Sequence, residues 1–171
     1  PRNDLSADYV RSILDYDPAT GVFRWLWRQD LRSNDNARWT GKIAGSINNV
    51  GYRQIKIGYL LYKAHRLACL IVTGAWPREE IDHVNLDRAD NRLANLREAT
   101  SSENKHNSHL RANNKSGIKG VSWYKRLRKW EAFIWPNGKK IHLGYFDTIE
   151  ESVEAVAEAR ARLHGEFARA A

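Results

Sequence analysis

A polar, turn-forming run, RANNKSG at residues 111–117, divides this chain into two stretches with different patterns. Before it, helical and strand-like periodicities alternate. After it, three strand-like segments follow one another and a single helical pattern closes the chain. The expected organisation is a first module over residues 1–110, a linker over 111–115 and a second module over 116–171. The 171 residues suffice for two small domains, and the expected fold class is α+β. Charge sharpens the division. Nine Lys/Arg face one acid, Glu131, between Arg111 and Phe146, whereas Asp147–Ala171 holds three basic and six acidic residues. A basic strand region ahead of an acidic helix predicts one polyanion-facing side and one solvent side. A merely solvated basic surface is the alternative; the interleaved Trp and Tyr favour nucleic acid.

Along the first module, SADYVRSILD predicts a helix capped by Ser6 and stopping near Asp17-Pro18, followed by a strand, VFRWLW. Residues 28–45 read as a polar loop and GYRQIKIG as a strand. YKAHRLACLIVTG reads as a buried helix ended by Gly74 and Pro77. A strand over 79–85 then enters IDHVNLDRADNRLANLREATSSEN, and SSENKHNSHL predicts a helix capped at Ser101 or Ser102. In the second module IKGVSWY, KWEAFIWP and KKIHLGYF predict strands, with turns at 126–128 and at Asn137-Gly138. Thr148 and Glu151 predict a capping box for the last helix.

The stretch 81–104 sets Asp82 beside His83 and crowds Asn91, Asn95 and Asn104 behind them. Neighbours on a strand point to opposite faces, but at a strand end both can border one site. A neutral imidazole can take a proton from water near pH 7. A carboxylate and an amide oxygen suit a hard divalent ion, which stabilises charge on a phosphate. A surface turn with a capping Asp and a satisfied His is the competing reading of the same residues. Asn91 is expected to brace the loop, and His65 to be structural or to contact phosphate. Arg92, His106 and His109 read as surface or phosphate-facing.

The runs AHRLACLIVTGAWP, IDHVNLDRADNRLANLREAT and SSEN resemble the phage-type HNH endonucleases of the His-Me finger (ββα-metal) superfamily, over roughly residues 5–110. The resemblance implies that His83 is the general base and that Asn95 orients it and its loop. It implies that Asp82 and Asn104 hold one Mg²⁺ or Mn²⁺ ion per active site, and that the products carry 5′-phosphate and 3′-hydroxyl ends. Arg53, Lys56, Arg66 and Arg97 are expected to touch DNA. A Cys-rich zinc variant is excluded, because Cys69 stands alone.

Residues 116–167 resemble the APETALA-type (ethylene-response-factor) DNA-binding domain through KGVSWYKRLRKWEAFI and KKIHLGYFDTIEESVEAVAEARARLHGEFA. The resemblance implies a three-stranded antiparallel sheet packed on one helix and laid into the major groove. Carried over by position, the expected contacts are Trp123, Lys125, Arg126, Arg128, Trp130, Trp135, Lys139, Lys140 and His142. Ser122 and Trp135 stand where the plant domains often carry Arg.

The expected function is divalent-metal-dependent cleavage of double-stranded DNA by a monomer or a DNA-assembled dimer. The rivals are a catalytically silent DNA-binding protein on the same scaffold and an RNA-directed nuclease. No apolar run is long enough to span a membrane, and PRNDLSADYV lacks the pattern of a secretory signal. The expected compartment is the cytoplasm of a bacterial or phage-infected cell.

Overall fold

The structure, a computed structural model, describes residues 3–106, 110 and 114–164. The chain forms two compact units, residues 1–98 and 99–171.

The first unit opens with α1 (Ala7–Ile13). Ser6 accepts a hydrogen bond from the Tyr9 N–H at 3.2 Å, and Val10 and Ile13 are buried. The helix ends earlier than its periodicity predicts. Leu14 turns extended and begins β1 (Leu14–Asp17), which pairs antiparallel with β2 (Val22–Trp25). Alternation decides this: Leu14 and Tyr16 face the core while Asp15 and Asp17 face outward.

Residues expected to form a loop contain a short helix, α2 (Ser33–Trp39). Its organiser is Asn36, 1% exposed, whose side chain accepts from Arg28 N–H at 2.9 Å and donates to the carbonyls of Arg28 and Leu31. A single buried amide thus closes a turn that composition alone reads as irregular.

β3 (Ser46–Ile47), β4 (Arg53–Ile57) and β5 (Leu60–Lys63) form an antiparallel sheet in that order. Tyr62 and Lys63, expected in the next helix, belong instead to β5, where Tyr62 pairs with Ile55. The buried α3 (Ala64–Thr73) follows and stops at Gly74, whose left-handed φ of 79° ends the helix. Val10, Ile13, Leu14, Phe23, Ile55, Leu67 and Leu70 make one core. β6 (Glu80–His83) and β7 (Leu96–Ala99) are hydrogen-bonded neighbours.

In the second unit α4 (Ser101–His106) lies against the turn at 136–138. Its cap is Thr100, not Ser101 or Ser102. Thr100 Oγ1 accepts from Glu103 N–H, and the Glu103 carboxylate accepts from Thr100 N–H. Of the expected linker, residues 111–113 lie outside the described residues. Asn114 Oδ1 accepts from the N–H groups of Ser116 and Gly117, closing a tight turn. β8 (Val121–Tyr124), β9 (Lys129–Ile134) and β10 (Ile141–Phe146) form an antiparallel sheet with β9 central. The expected capping box between Thr148 and Glu151 opens α5 (Ile149–His164). Val156 and Ala159 of α5 pack with Val121, Ala132 and Ile134.

Candidate active site

Ile81, Asp82 and His83 are 6%, 3% and 4% exposed, so the end of β6 is covered on both faces. Adjacent residues on opposite faces are therefore both buried, which the Asp-His pair required. The His83 ring packs edge-on to His65 with centroids 5.0 Å apart, and Tyr52 lies against both rings at 5.3 and 5.8 Å. The residue before β4, together with α3 and β6, thus brings three aromatic rings together from distant parts of the chain. Burial pushes the His83 pKa below its ordinary value; the Asn91 side chain and the charges of Asp82, Asp87 and Asp90 oppose it. His65 is pushed down to about 3, by burial first and then by the nearby charges of His83, Lys63 and Arg66.

The loop after His83 is held by side-chain amides. Asn95 Oδ1 accepts from Asn85 N–H at 2.9 Å, and its Nδ2 donates to the Asp90 carbonyl at 2.9 Å. Both ends of Asn95 therefore hold the loop, and the side chain that counters the fall in the His83 pKa is that of Asn91. Asn91 is 1% exposed and also donates to the Ala89 carbonyl at 2.8 Å. Arg92 grips Asp90 with two nitrogens, which holds that carboxyl down to about 2.

The loop is backed by the β1–β2 turn. Tyr16 Oη donates to the Asn91 carbonyl at 2.8 Å, and Leu93 N–H donates to the Pro18 carbonyl at 2.9 Å. Gly21, at φ +72°, comes so close that a Cβ would lie 2.5 Å from Arg92 N and from Asn91 C. Only glycine fits there.

Leu86, three residues after His83, has a positive φ of 67°. A left-handed non-glycine residue costs about 1–2 kcal/mol, part of which glycine returns as unfolded-chain entropy. Leu86→Gly is thus expected to raise unfolding free energy by roughly 0.5–1 kcal/mol in urea titration. A loss of stability would mean that the half-buried leucine packs for more than its backbone strain costs.

The basic residues expected at DNA separate into distinct groups. Arg66 is 7% exposed and donates to the carbonyls of Glu79 and Pro77 and to Asn3 Oδ1. Its guanidinium ties α3 to the approach to β6, so it braces the fold and leaves little surface exposed. Arg97 Nε donates to Asp82 Oδ2 at 3.0 Å, and Arg97 Nη2 lies 2.9 Å from the same oxygen. Arg53 reaches the carbonyls of Ala44 and Gly45, and Lys56 is exposed on β4. Asn104 is half-buried on α4, in the second unit, and donates its N–H to the Thr100 carbonyl. The side chain of His106 and all of His109 lie outside what is described.

In the second unit, register assigns the faces of the sheet. Val121 pairs with Ala132 and Trp123 with Trp130, so both tryptophans turn to the side that carries the core. Their rings meet edge-on at 5.2 Å, and Trp130 packs against the core. The open face carries Ser122, Tyr124, Lys129, Glu131, Phe133, His142 and Tyr145. Glu131, the lone acid of this basic stretch, sits at its centre. It accepts from Lys140 Nζ at 2.7 Å, and His142 Nε2 lies 3.8 Å away. Lys125, Arg126 and Arg128 are exposed at the β8–β9 turn, and Trp135 and Lys139 at the β9–β10 turn.

Comparison with known proteins adds four findings. A family model described as HNH endonuclease matches residues 62–106. Protein 3.8 of Escherichia phage T7 is 36% identical over 89 residues, which are 52% of this chain and 73% of that protein. The AP2-like ethylene-responsive transcription factor TOE2 of Arabidopsis thaliana is 38% identical over 50 residues, 29% of this chain and only 10% of the plant protein. Among solved structures, that of the HNH homing endonuclease I-HmuI aligns with 90% of this chain and 82% of its own. Its TM-score is 0.43 and its identity 17%.

Proposed function

The chain belongs to the HNH endonuclease family and is a DNA endonuclease; from that premise we propose that His83 is its general base and residues 116–171 its DNA-reading module. The observation that carries the assignment is a buried His83 ring, kept neutral by burial and set beside the buried Asp82 at the end of one strand. A neutral imidazole accepts the proton of the attacking water, and a lowered pKa keeps it in that form below pH 6.5 as well. His65 and Tyr52 fix the plane of the ring, while Asn91 and Asn95 fix the loop that follows it.

Asp82 and Asn104 would hold one Mg²⁺ or Mn²⁺ ion. The Asp82 carboxylate suits a cation, since it already accepts one on Oδ2. Among the described residues no three His, Cys, Asp or Glu side chains cluster as ligands. That fits an ion bound through one carboxylate, an amide, waters and substrate phosphate. When bound, the ion supplies charge stabilisation at the phosphate and the departing 3′ oxygen. Hydrolysis in this arrangement leaves 5′-phosphate and 3′-hydroxyl ends.

The nuclease module comprises residues 1–110. The exposed turn residues Lys125, Arg126, Arg128 and Lys139 reach phosphates, and the open sheet face reads the groove. No helix among the described residues is long and apolar enough to cross a membrane. One active site cuts one strand, so a double-strand break takes a DNA-assembled dimer or two successive events.

Supercoiled-plasmid cleavage tests the reading. Nicking with Mg²⁺ is expected to stop in EDTA and to fall by at least ~10²-fold in His83→Ala. Equal cleavage by the variant would remove His83 from the chemistry. Tight DNA binding with no cleavage under any metal would favour the catalytically silent DNA-binding protein.

A further inference from the structure

The Asp82–Arg97 pair is more than a cross-strand contact of opposite charges. Two of the guanidinium nitrogens, Nε and Nη2, lie 3.0 and 2.9 Å from Oδ2. The Asp82 side chain is 3% exposed and that of Arg97 is 19% exposed, so the cation reaches towards solvent where the carboxylate does not. A buried carboxylate needs a positive partner at all times, and Arg97 provides one. A divalent ion arriving at Asp82 would then meet a carboxylate already held by a full positive charge. Two cations on one carboxylate repel, so the arginine's hold weakens as the ion binds. The released guanidinium stays next to the site, and its planar fork matches a phosphate better than any other side chain does.

We propose that Arg97 has two successive partners: the Asp82 carboxylate before the divalent ion binds, and a DNA phosphate afterwards. The inference rests on the reading of Asp82 as a ligand. It adds that metal and DNA binding are linked through one arginine. An ion that frees Arg97 strengthens the grip on the phosphate, and a phosphate that takes Arg97 opens Asp82 to the ion.

The test uses the full chain and Mn²⁺, titrated without DNA and followed by the electron-paramagnetic signal of the free ion. Asp82→Asn is expected to lose binding. Arg97→Gln, which removes the competing charge, is expected to bind Mn²⁺ ~10-fold tighter than the unaltered chain. DNA binding is then measured against salt in the His83→Ala background. There Arg97→Gln should lower the salt slope by about one in Mn²⁺ and leave it unchanged in EDTA.

Mn²⁺ binding that survives Asp82→Asn overturns the ligand assignment and this proposal with it. Binding lost in Asp82→Asn but no tighter in Arg97→Gln overturns the proposal alone. So does a salt slope that falls equally with and without the ion. Should Arg97→Gln not fold, Arg97→Lys keeps a charge beside Asp82 without the two-nitrogen grip. The same direction of change, smaller in size, is expected of it, and its absence counts against the proposal in the same way.

Discussion

As pH falls below 6.5, the first unit is expected to lose stability at up to about 1.4 kcal/mol per pH unit, because His65 refuses the proton that its unfolded counterpart accepts. His65 is 4% exposed, and its pKa in the fold lies at about 3. A histidine lowered by folding contributes its full stability above the unfolded value of 6.5. That contribution drains away through the window between 6.5 and 3 and levels off below it. Across the window the loss is on the order of 5 kcal/mol, a large fraction of a small domain's stability. His83, lowered in the same direction, adds to the effect.

Urea unfolding at pH 7, 6, 5 and 4 measures it, with His65→Phe as the control. Phenylalanine preserves the edge-on ring contacts with Tyr52 and His83 and removes the titration. Nδ1 of His65 has no hydrogen-bond partner among the described residues, so this replacement breaks no bond seen there. The variant should show a shallower pH dependence. An unchanged slope would assign the acid lability to other groups.

The second large effect is expected at Gly21, far in sequence from the catalytic loop. A methyl group there would lie 2.5 Å from two backbone atoms, and backbone cannot swing aside as a side-chain tip can. The left-handed φ of 72° adds strain of its own. Gly21→Ala is therefore expected to cost about 3 kcal/mol or more, unless the loop moves away. Movement would carry Asn91 from its place against His83, so cleavage falls by either route. Thermal melting paired with cleavage well below the melting temperature separates the two. A variant that melts within about two degrees of the parent and cuts normally would show that the turn does not back the loop.

Much of this architecture was legible in the order of residues. The three strands and final helix of the second unit follow from alternation, turn residues and a capping box, all local signals. So do α3 with its glycine stop and the strand that ends in Asp82-His83. What stayed hidden depends on contacts between distant segments. Nothing near Arg66 says that its guanidinium belongs to the carbonyls of Glu79 and Pro77, so a buried brace read as a DNA contact. Asn36 organises its loop only once folded, which concealed α2. Asn91 and Asn95 are both amides behind one histidine, and only the path of the loop decides which faces the ring. Trp130 shows the same limit: register sends it inward, while its side-chain type fits a groove equally well. The assignments of Asp82, His83 and Asn104 rest on resemblance and chemistry, and the experiments above test those of Asp82 and His83 directly.

The loop that carries Asn91 leans on Tyr16, Pro18 and Gly21, whereas the family model matches only residues 62–106. The motif is therefore not self-supporting. A designer who transplanted that segment into another host would carry over the proposed base and both proposed ligands but leave behind the surface against which their loop is set. Any new host would have to offer a tyrosine hydroxyl, a carbonyl and a side-chain-free turn at matching positions, so the unit of inheritance for this chemistry is larger than its signature.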